Sequence, residues 1–496
     1  MGKEMKNIKG KRITLDIDPP YVKAKTQKAL KLLKRYGFNK DVEVRISPSG
    51  KGRHVISWSE VGLPIHELMM LRRIAGDDSV SEDTRLYWKE NGILKFSKIS
   101  SLYDSFVKGN KIEVLTAKIR EKHCKNINLR PIFTAPFGEI VWEQITDCWY
   151  RGMKEVYRVE LNNGKSIEIT KNHSLFGRLK QASVTNKIVP VSLMEIEENK
   201  ESVVASIELE INDCCEFDID DDFLTLCGLW LADGCYDRDT KIKISTGDDI
   251  KIIDWLKIYI SKNPNFYGKI SKASLSKSRN GDLTFSLKKT VEKMKELGFF
   301  GKSNTKKIPE FVFTLQNHKI EKLLKGYFSG DGCLSLSHGQ PMVSAVSVSE
   351  QLMKDVKILL SKVGIASNFR EGKTKGYSTN RCQTENKIFI LLIEKRDSVE
   401  KFLDRINFIK KYGEEKYIIR ESNRQQRQIT LRKIRKITSI GLKNVYDIDI
   451  KPTESFVAEG ILCHNSTRIY LDTKSYQHRS RMRQVIFTTK KVMKNG

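Results

Sequence analysis

The sequence predicts a multidomain fold: an all-β unit, interrupted by an α/β unit with pseudo-two-fold symmetry, between two pieces of a small α+β protein. Three observations predict it. Short β-like runs and turns fill about 79–178, and the same texture returns at Lys436–Ile450. Between those stretches a nine-residue pattern occurs twice, 98 positions apart. Two such copies imply a repeated unit and a pseudo-dyad. Ahead of both, the first 78 residues alternate strand-like and helix-like runs. A chain of 496 residues holds about three or four units at roughly 100–200 residues each.

The first piece, 1–78, opens on alternation over Ile13–Ile17, which reads as a strand. Apolar residues at helical spacing follow in Ala24–Tyr36. Val42–Ile46 and His54–Trp58 read as strands around the turn Ser47-Pro-Ser-Gly-Lys-Gly52, and Leu63–Ile74 is helical again. The last piece, 466–496, is short and basic.

Charge and cysteine usage bound the function. With 89 Lys and Arg against 61 Asp and Glu, the net charge is +28. Such a surplus self-repels in a compact fold, and nucleic acid is its usual partner. No apolar run reaches the roughly 18 residues that span a bilayer, and the N-terminus lacks a signal-peptide core. Membrane and secreted classes are therefore excluded, and a cytoplasmic protein of an archaeal, bacterial or viral source is expected. The nine cysteines form no C-x-x-C, which favours reduced thiols over a zinc site or disulfides.

The β-textured unit divides into 79–178 and 436–465. Lys111–Ala117, Glu155–Leu161 and Ser166–Thr170 are its clearest strands, with Asn163-Gly164 a hairpin turn between the last two. Residues 179–214 and 411–435 read as connecting segments around the α/β unit, 215–410.

The repeat carries the chemistry of the α/β unit. Leu226-Cys-Gly-Leu-Trp-Leu-Ala-Asp-Gly234 matches Leu324-Lys-Gly-Tyr-Phe-Ser-Gly-Asp-Gly332. Gly228 and Gly326 are poor helix formers, so each needs a packing reason; two such helices can pack face to face. Each helix ends at Asp-Gly, which puts Asp233 and Asp331 at C-termini, where the macrodipole disfavours negative charge. A divalent cation relieves that penalty and the mutual repulsion. Metal-assisted phosphodiester hydrolysis is the natural use of such a pair.

These residues resemble the LAGLIDADG (DOD-type) homing endonucleases with two motifs in one chain. The resemblance implies that Asp233 and Asp331 hold Mg2+ at the two scissile phosphates of double-stranded DNA. The family's K-x-I-P signature matches Lys306-Lys307-Ile308-Pro309, which makes Lys306 a candidate basic residue near the active site. Leu231 and Ser329 stand where the family name has its first acid. Strands after each helix would form saddles on DNA, with Lys241, Lys243, Lys269, Lys272, Arg370, Lys373 and Lys375 in suitable stretches.

The ends of the β unit are distinctive. The upstream end reads Ser79-Val-Ser-Glu-Asp-Thr84, and the downstream end reads Val457-Ala-Glu-Gly-Ile-Leu-Cys-His-Asn465-Ser466. An Asn side-chain amide can attack its own backbone carbonyl and cleave the chain, assisted by a neighbouring imidazole. Hydroxyls at Ser466 and Ser79 can serve as acyl acceptors.

The set resembles an intein, the self-splicing Hint (horseshoe) fold. Ser79 to Thr84, Thr170 with His173, Val445-Tyr-Asp447, Phe456-Val-Ala-Glu-Gly460 and His464-Asn465 fall in the family's order. The resemblance covers 79–465 and implies the roles. Ser79 is the first nucleophile. Thr170 and His173 strain or polarise the Asp78–Ser79 bond. Asp447 assists the acyl transfers. Ser466 accepts the upstream segment, and Asn465 cyclises with help from His464. No cofactor is implied for splicing. Glu454 stands where the family often has a His, which shifts weight onto His464.

Removing 79–465 leaves 109 residues. Asp16 and Asp18 in D-x-D, His54 in S-G-x-G-x-H, and Asp472 after Ile469-Tyr-Leu resemble the motifs of archaeo-eukaryotic primases. That resemblance implies that Asp16, Asp18 and Asp472 are metal ligands, with Mg2+ here too, and that His54 contacts nucleotide phosphate. A small basic α+β protein with incidental acids is the alternative. For the insert, the alternative is a non-catalytic basic DNA-binding module. A monomer with an internal pseudo-dyad, bound to double-stranded DNA and to no membrane, is expected.

Overall fold

The computed structural model describes residues 9–17, 27, 30, 34, 40–46, 53–64, 79–120, 137–171, 173–178, 188–198, 202–208, 210–237, 240–246, 249–262, 275–277, 282–286, 288–337, 339–377, 383–409, 429–450, 453, 455–464 and 469–472. Among them, no helix is long and apolar enough to cross a membrane.

Upstream, β1 (Lys9–Ile17), β2 (Lys40–Ile46) and β3 (Arg53–Pro64) form an antiparallel sheet. Its fourth strand comes from the other end of the chain, as given below.

The β unit follows. It is built from β4 (Val80–Ser81), β5 (Arg85–Glu90), β6 (Ile93–Lys98), helix α1 (Ile99–Val107), β7 (Ile112–Arg120), β8 (Phe137–Leu161), β9 (Ser166–Thr170) and β10 (Ser174–Arg178). The expected hairpin at Asn163-Gly164 forms: Glu160 pairs with Ser166, and Gly164 takes φ +80°. Glycine is needed there twice over. A Cβ at 164 would also lie 2.4 Å from the backbone oxygen of Phe369.

The stretch 179–214, read from sequence as a connecting segment, contributes to the same sheet. It supplies β11 (Val189–Ser192), helix α2 (Leu193–Glu198) and β12 (Val203–Ile207). The reason is burial: Val204, Ala205 and Ile207 are in the core, and pairing is what satisfies their backbone groups there.

The α/β unit contains α3 (Asp221–Asp233), β13 (Gly234–Asp237), β14 (Lys241–Ser245), α4 (Ile250–Lys262), β15 (Leu275–Lys277), β16 (Asp282–Ser286) and α5 (Lys288–Glu296). It continues through α6 (Asn317–Asp331), β17 (Gly332–Ser337), β18 (Gln340–Ser347), α7 (Glu350–Lys362), β19 (Asn368–Tyr377), β20 (Gln383–Ile393) and α8 (Arg396–Lys401). Each motif helix runs into a four-stranded antiparallel sheet, ordered β13-β14-β16-β15 and β17-β18-β20-β19. Asp220 caps α3, accepting from Phe223 N at 2.7 Å. Every residue from Phe223 to Leu231 is buried, the signature of a helix with neighbours all round.

The chain then returns to the β unit with β21 (Ile429–Ile450), β22 (Ser455–Ala458) and β23 (Ile461–His464). Strand β21 starts seven residues ahead of the 436 expected from sequence, because Ile429–Lys433 pairs with β12. Its remainder lies antiparallel to β8 along almost its whole length. The last described strand, β24 (Ile469–Asp472), closes the first sheet in the order β2-β3-β1-β24.

The β unit and the α/β unit share a core. Tyr87, Leu94, Phe96 and Leu115 from β5–β7 belong to the apolar cluster that includes Phe313, Leu359 and Phe369. The Phe96 and Phe313 rings stack at 4.5 Å. Burying one such ring is worth about 1.5–3 kcal/mol. Polar links frame it: Phe369 N donates to Asn163 O at 3.0 Å, and Arg85 pairs with Asp355 at 2.7 Å.

Candidate functional site

Two clusters of expected residues form. The first is at the start of the β unit. Thr170 N donates to Ser79 O at 3.0 Å, and Ser79 N, the amide of the Asp78–Ser79 bond, donates to Thr170 Oγ1 at 3.2 Å. The Thr170 hydroxyl in turn donates to Ser79 O at 3.3 Å. Strand β4 lies between β9 and β21, with Val80 opposite Ile169 on one side and Tyr446 on the other. Asp447 follows Tyr446 in β21 and is buried.

His173 follows β9 in a turn, its N–H donating to Thr170 O at 3.0 Å. Leu175 pairs with Cys463, which brings the start of β10 to the end of β23 and so His173 to His464. Burial, with His464 beside it, holds the His173 imidazole neutral down to about 3. Ser79 Oγ and both His173 ring nitrogens are buried without a protein hydrogen-bond partner among the described residues. An orphaned buried polar atom is costly, and three in one place suit groups kept for a reacting partner. Asn465 and Ser466 lie outside the described residues, as does Asp78.

Sequence reading missed Arg151. Its guanidinium Nη2 donates to Asp447 at 2.7 Å, with the two side chains 7% and 2% exposed. A buried carboxylate needs a partner, and this one comes from the middle of β8. No local pattern marks Arg151, because only the β8–β21 register brings it to Asp447.

The second cluster is at the ends of the motif helices. Helices α3 and α6 touch backbone to backbone. A Cβ at Gly228 would lie 2.0 Å from Leu323 O, and one at Gly326 would lie 2.0 Å from Thr225 O. The expected packing role of these glycines is therefore met. At the same end, a Cβ at Gly330 would lie 2.8 Å from the Asp233 carboxylate oxygen, which sets that acid against the α6 turn that carries Asp331. Lys306 donates to the carbonyls of Trp230 and Gly234 at 2.7 Å and of Leu231 at 3.1 Å. It thus caps the α3 C-terminus with positive charge. Burial lowers its ammonium to about 8, opposed by Asp331 and Asp233 nearby.

The donor set fits a hard divalent cation. Two carboxylates converge on two helix ends, and Mg2+ takes one or two carboxylates and fills its shell with water and phosphate oxygen. No group of three or more His, Cys, Asp or Glu ligands occurs among the described residues. Lys241 and Lys243 lie in β14, and Arg370, Lys373 and Lys375 in β19. Lys269 and Lys272 lie outside the described residues.

In the flanking sheet, Asp16 stands opposite His54 across β1 and β3. Asp472 stands opposite Arg12, four positions from Asp16 along β1. At about 3.3 Å per residue that is ~13 Å along the strand. Strand β24 runs antiparallel to β1, so its end lies toward the start of β1. Asp18 lies outside the described residues.

The intein splicing domain model matches residues 90–465. The chain is 26% identical over 419 residues to a DNA polymerase of Thermococcus litoralis, which covers 79% of this chain and 23% of that protein. The chain thus spans about a quarter of the length of that relative. Among solved structures, a DnaB intein from Synechocystis sp. PCC 6803 aligns with 78% of this chain and 97% of its own, at 8% identity and a TM-score of 0.24. A variant of I-DmoI in complex with its target DNA and in the presence of Mn aligns with 38% and 93%, at 16% identity and a TM-score of 0.26.

Proposed function

The chain belongs to the intein splicing domain family, and from that membership we propose that it excises residues 79–465 and joins Asp78 to Ser466. The observation that supports this reading is the set of hydrogen bonds between Thr170 and Ser79, with His173 in the turn that follows and His464 beside it. Ser79 Oγ attacks the Asp78 carbonyl carbon. The Asp78–Ser79 C–N bond breaks, an ester forms, and the hydroxyl proton passes to the freed amine. A neutral His173 suits that transfer, since it can take a proton and give it back. Ser466 Oγ then attacks the ester, restoring the Ser79 hydroxyl. The Asn465 side-chain amide attacks its own carbonyl, breaking the bond to Ser466 and leaving a succinimide. The freed Ser466 amine finally displaces its own ester oxygen to give an amide.

The unit at 215–410 cleaves double-stranded DNA as a monomer with internal pseudo-two-fold symmetry. The close helix contact and the shared acid end of α3 and α6 support it. Asp233 and Asp331 would hold Mg2+, which supplies Lewis-acid stabilisation of the phosphate oxygens when bound. Lys306 holds the α3 end, and so Asp233, in place. For the ligated flanks, the pairing of Asp16 with His54 supports a nucleotide-handling role, which metal-dependent dinucleotide synthesis by the product would test.

Intact-mass analysis of the expressed chain tests the main reading. A 109-residue product and an excised 79–465 are expected, and both should vanish in Ser79→Ala. A chain that only falls into fragments refutes ligation. Cleavage of DNA carrying the uninterrupted host coding sequence, lost in Asp233→Asn, tests the insert. Binding without cleavage would favour the non-catalytic module.

A further inference from the structure

The two flanks already share a sheet while the insertion is in place. Strands β1, β2 and β3 come from the upstream flank, and the fourth strand, β24, comes from the downstream flank. Four register pairs join them: Arg12 with Asp472, Ile13 with Leu471, Thr14 with Tyr470 and Leu15 with Ile469. Strand β1 is internal, flanked by β3 and β24, and β24 is the sheet edge.

Chain lengths give this pairing a consequence for the reaction. Ile469 stands three positions after Ser466, and three residues span at most about 11 Å. Pairing β24 to β1 therefore ties the accepting hydroxyl closely to the upstream flank. On the other side 14 positions separate Pro64 from Asp78, a length of chain that reaches at most about 50 Å. The upstream acyl group can travel to Ser466 without the sheet coming apart.

Two side reactions compete with ligation. Water can attack the ester at Ser79, releasing 1–78 as a free acid. Asn465 can cyclise before acyl transfer, releasing the downstream flank. Either separates the flanks unless a second link holds them. The β1–β24 pairing is such a link, independent of both scissile bonds, and it raises the effective concentration of each flank at the other.

Resting on the splicing reading above, we propose that the host sheet acts as a clamp. It assembles across the insertion before any bond breaks, and β1–β24 pairing directs the ester to Ser466 rather than to water. Strand β24 is thus a positioning element for the reaction as well as part of the product.

The test uses the full chain with Tyr470→Pro and Leu471→Pro made separately. Adjacent amides of an edge strand point alternately toward the sheet and toward solvent. One of the two variants therefore removes a hydrogen bond to β1. The readout is the ratio of 109-residue product to released 1–78 and 466–496, by intact mass. A loss of folding alone would reduce total conversion and leave that ratio unchanged. The ratio is expected to fall at least fivefold in one variant.

A second measurement uses Ser466→Ala together with Asn465→Ala, which stops at the first ester with the downstream flank still attached, and hydroxylamine to cleave that ester. Segment 1–78 is expected to co-elute with the remainder on gel filtration, and to separate once Tyr470→Pro and Leu471→Pro are both added. Unchanged ratios in both single variants, or separation of 1–78 without any proline, overturn the clamp. An unaltered chain that makes no 109-residue product overturns the splicing reading instead. The co-elution measurement still decides the clamp in that case, because it needs only the first ester.

Discussion

Gly228→Ala puts a methyl group where α3 and α6 meet. The added Cβ would lie 2.0 Å from Leu323 O, 2.7 Å from Tyr327 N and 3.0 Å from Gly326 Cα. Real Cβ contacts start at about 3 Å, so the helices must part by about 1 Å. The obstructing atoms are backbone, and no rotamer change relieves them. Overpacking of this kind costs about 1–3 kcal/mol. For a unit of roughly 200 residues, that lowers the melting temperature by about 2–4 °C per kcal/mol. The chemical cost is larger, because the same helices carry Asp233 and Asp331. A misplacement of about 1 Å can cost ~100-fold in rate. Scanning calorimetry and cleavage of a duplex carrying the uninterrupted host coding sequence, with Mg2+, measure both. Gly326→Ala should behave the same, since its Cβ meets Thr225 O at 2.0 Å. Cleavage within twofold of the unaltered chain, at unchanged melting temperature, would refute the claim that this contact sets the acid geometry.

Three further outcomes are expected. Arg151→Met leaves Asp447 buried without its guanidinium; loss of one partner of a buried pair costs about 3–5 kcal/mol, and thermal unfolding should show it together with slower splicing. The His173 ring, held down to about 3 by burial, titrates near 6.5 when unfolded, so the unfolded chain binds the extra proton between those values. Stability therefore falls as pH drops through that window, and His173→Gln should reduce the slope by up to one proton, about 1.4 kcal/mol per pH unit; an unchanged slope in denaturant titrations counts against a buried neutral ring. Asp78 carries a carboxylate beside the scissile carbonyl and can release 1–78 unligated by attacking it, so Asp78→Ala should lower that by-product in a splicing assay, and an equal by-product fraction refutes the idea.

Much of both sites was legible because it is local. Ser79, Thr170 with His173, and the two Asp-Gly helix ends each sit in a short pattern whose residue types state a chemistry. The turn at Asn163-Gly164 and the packing glycines Gly228 and Gly326 were legible for the same reason. What was not legible depends on pairing between distant segments. Arg151 has meaning only once β8 lies along β21. The stretch around β11 and β12 looks like a linker until its apolar residues find the sheet. The register that sets Asp472 opposite Arg12 is a matter of strand direction, which composition and spacing do not encode. Lys306 was placed near the acids by its motif, but its grip on the α3 carbonyls needed the fold.

The core shared between the β unit and the insert bears on protein engineering. Excising 215–410 to obtain a compact splicing tool would not simply shorten a linker. It would uncover Tyr87, Leu94 and Phe96, strip Arg85 of Asp355, and leave the 163–164 turn without the strand that covers it. A contiguous apolar patch of that kind is an aggregation liability. A minimal version therefore calls for polar replacements on β5 and β6 in the same design, and its solubility, rather than its catalytic residues, sets whether it can be used.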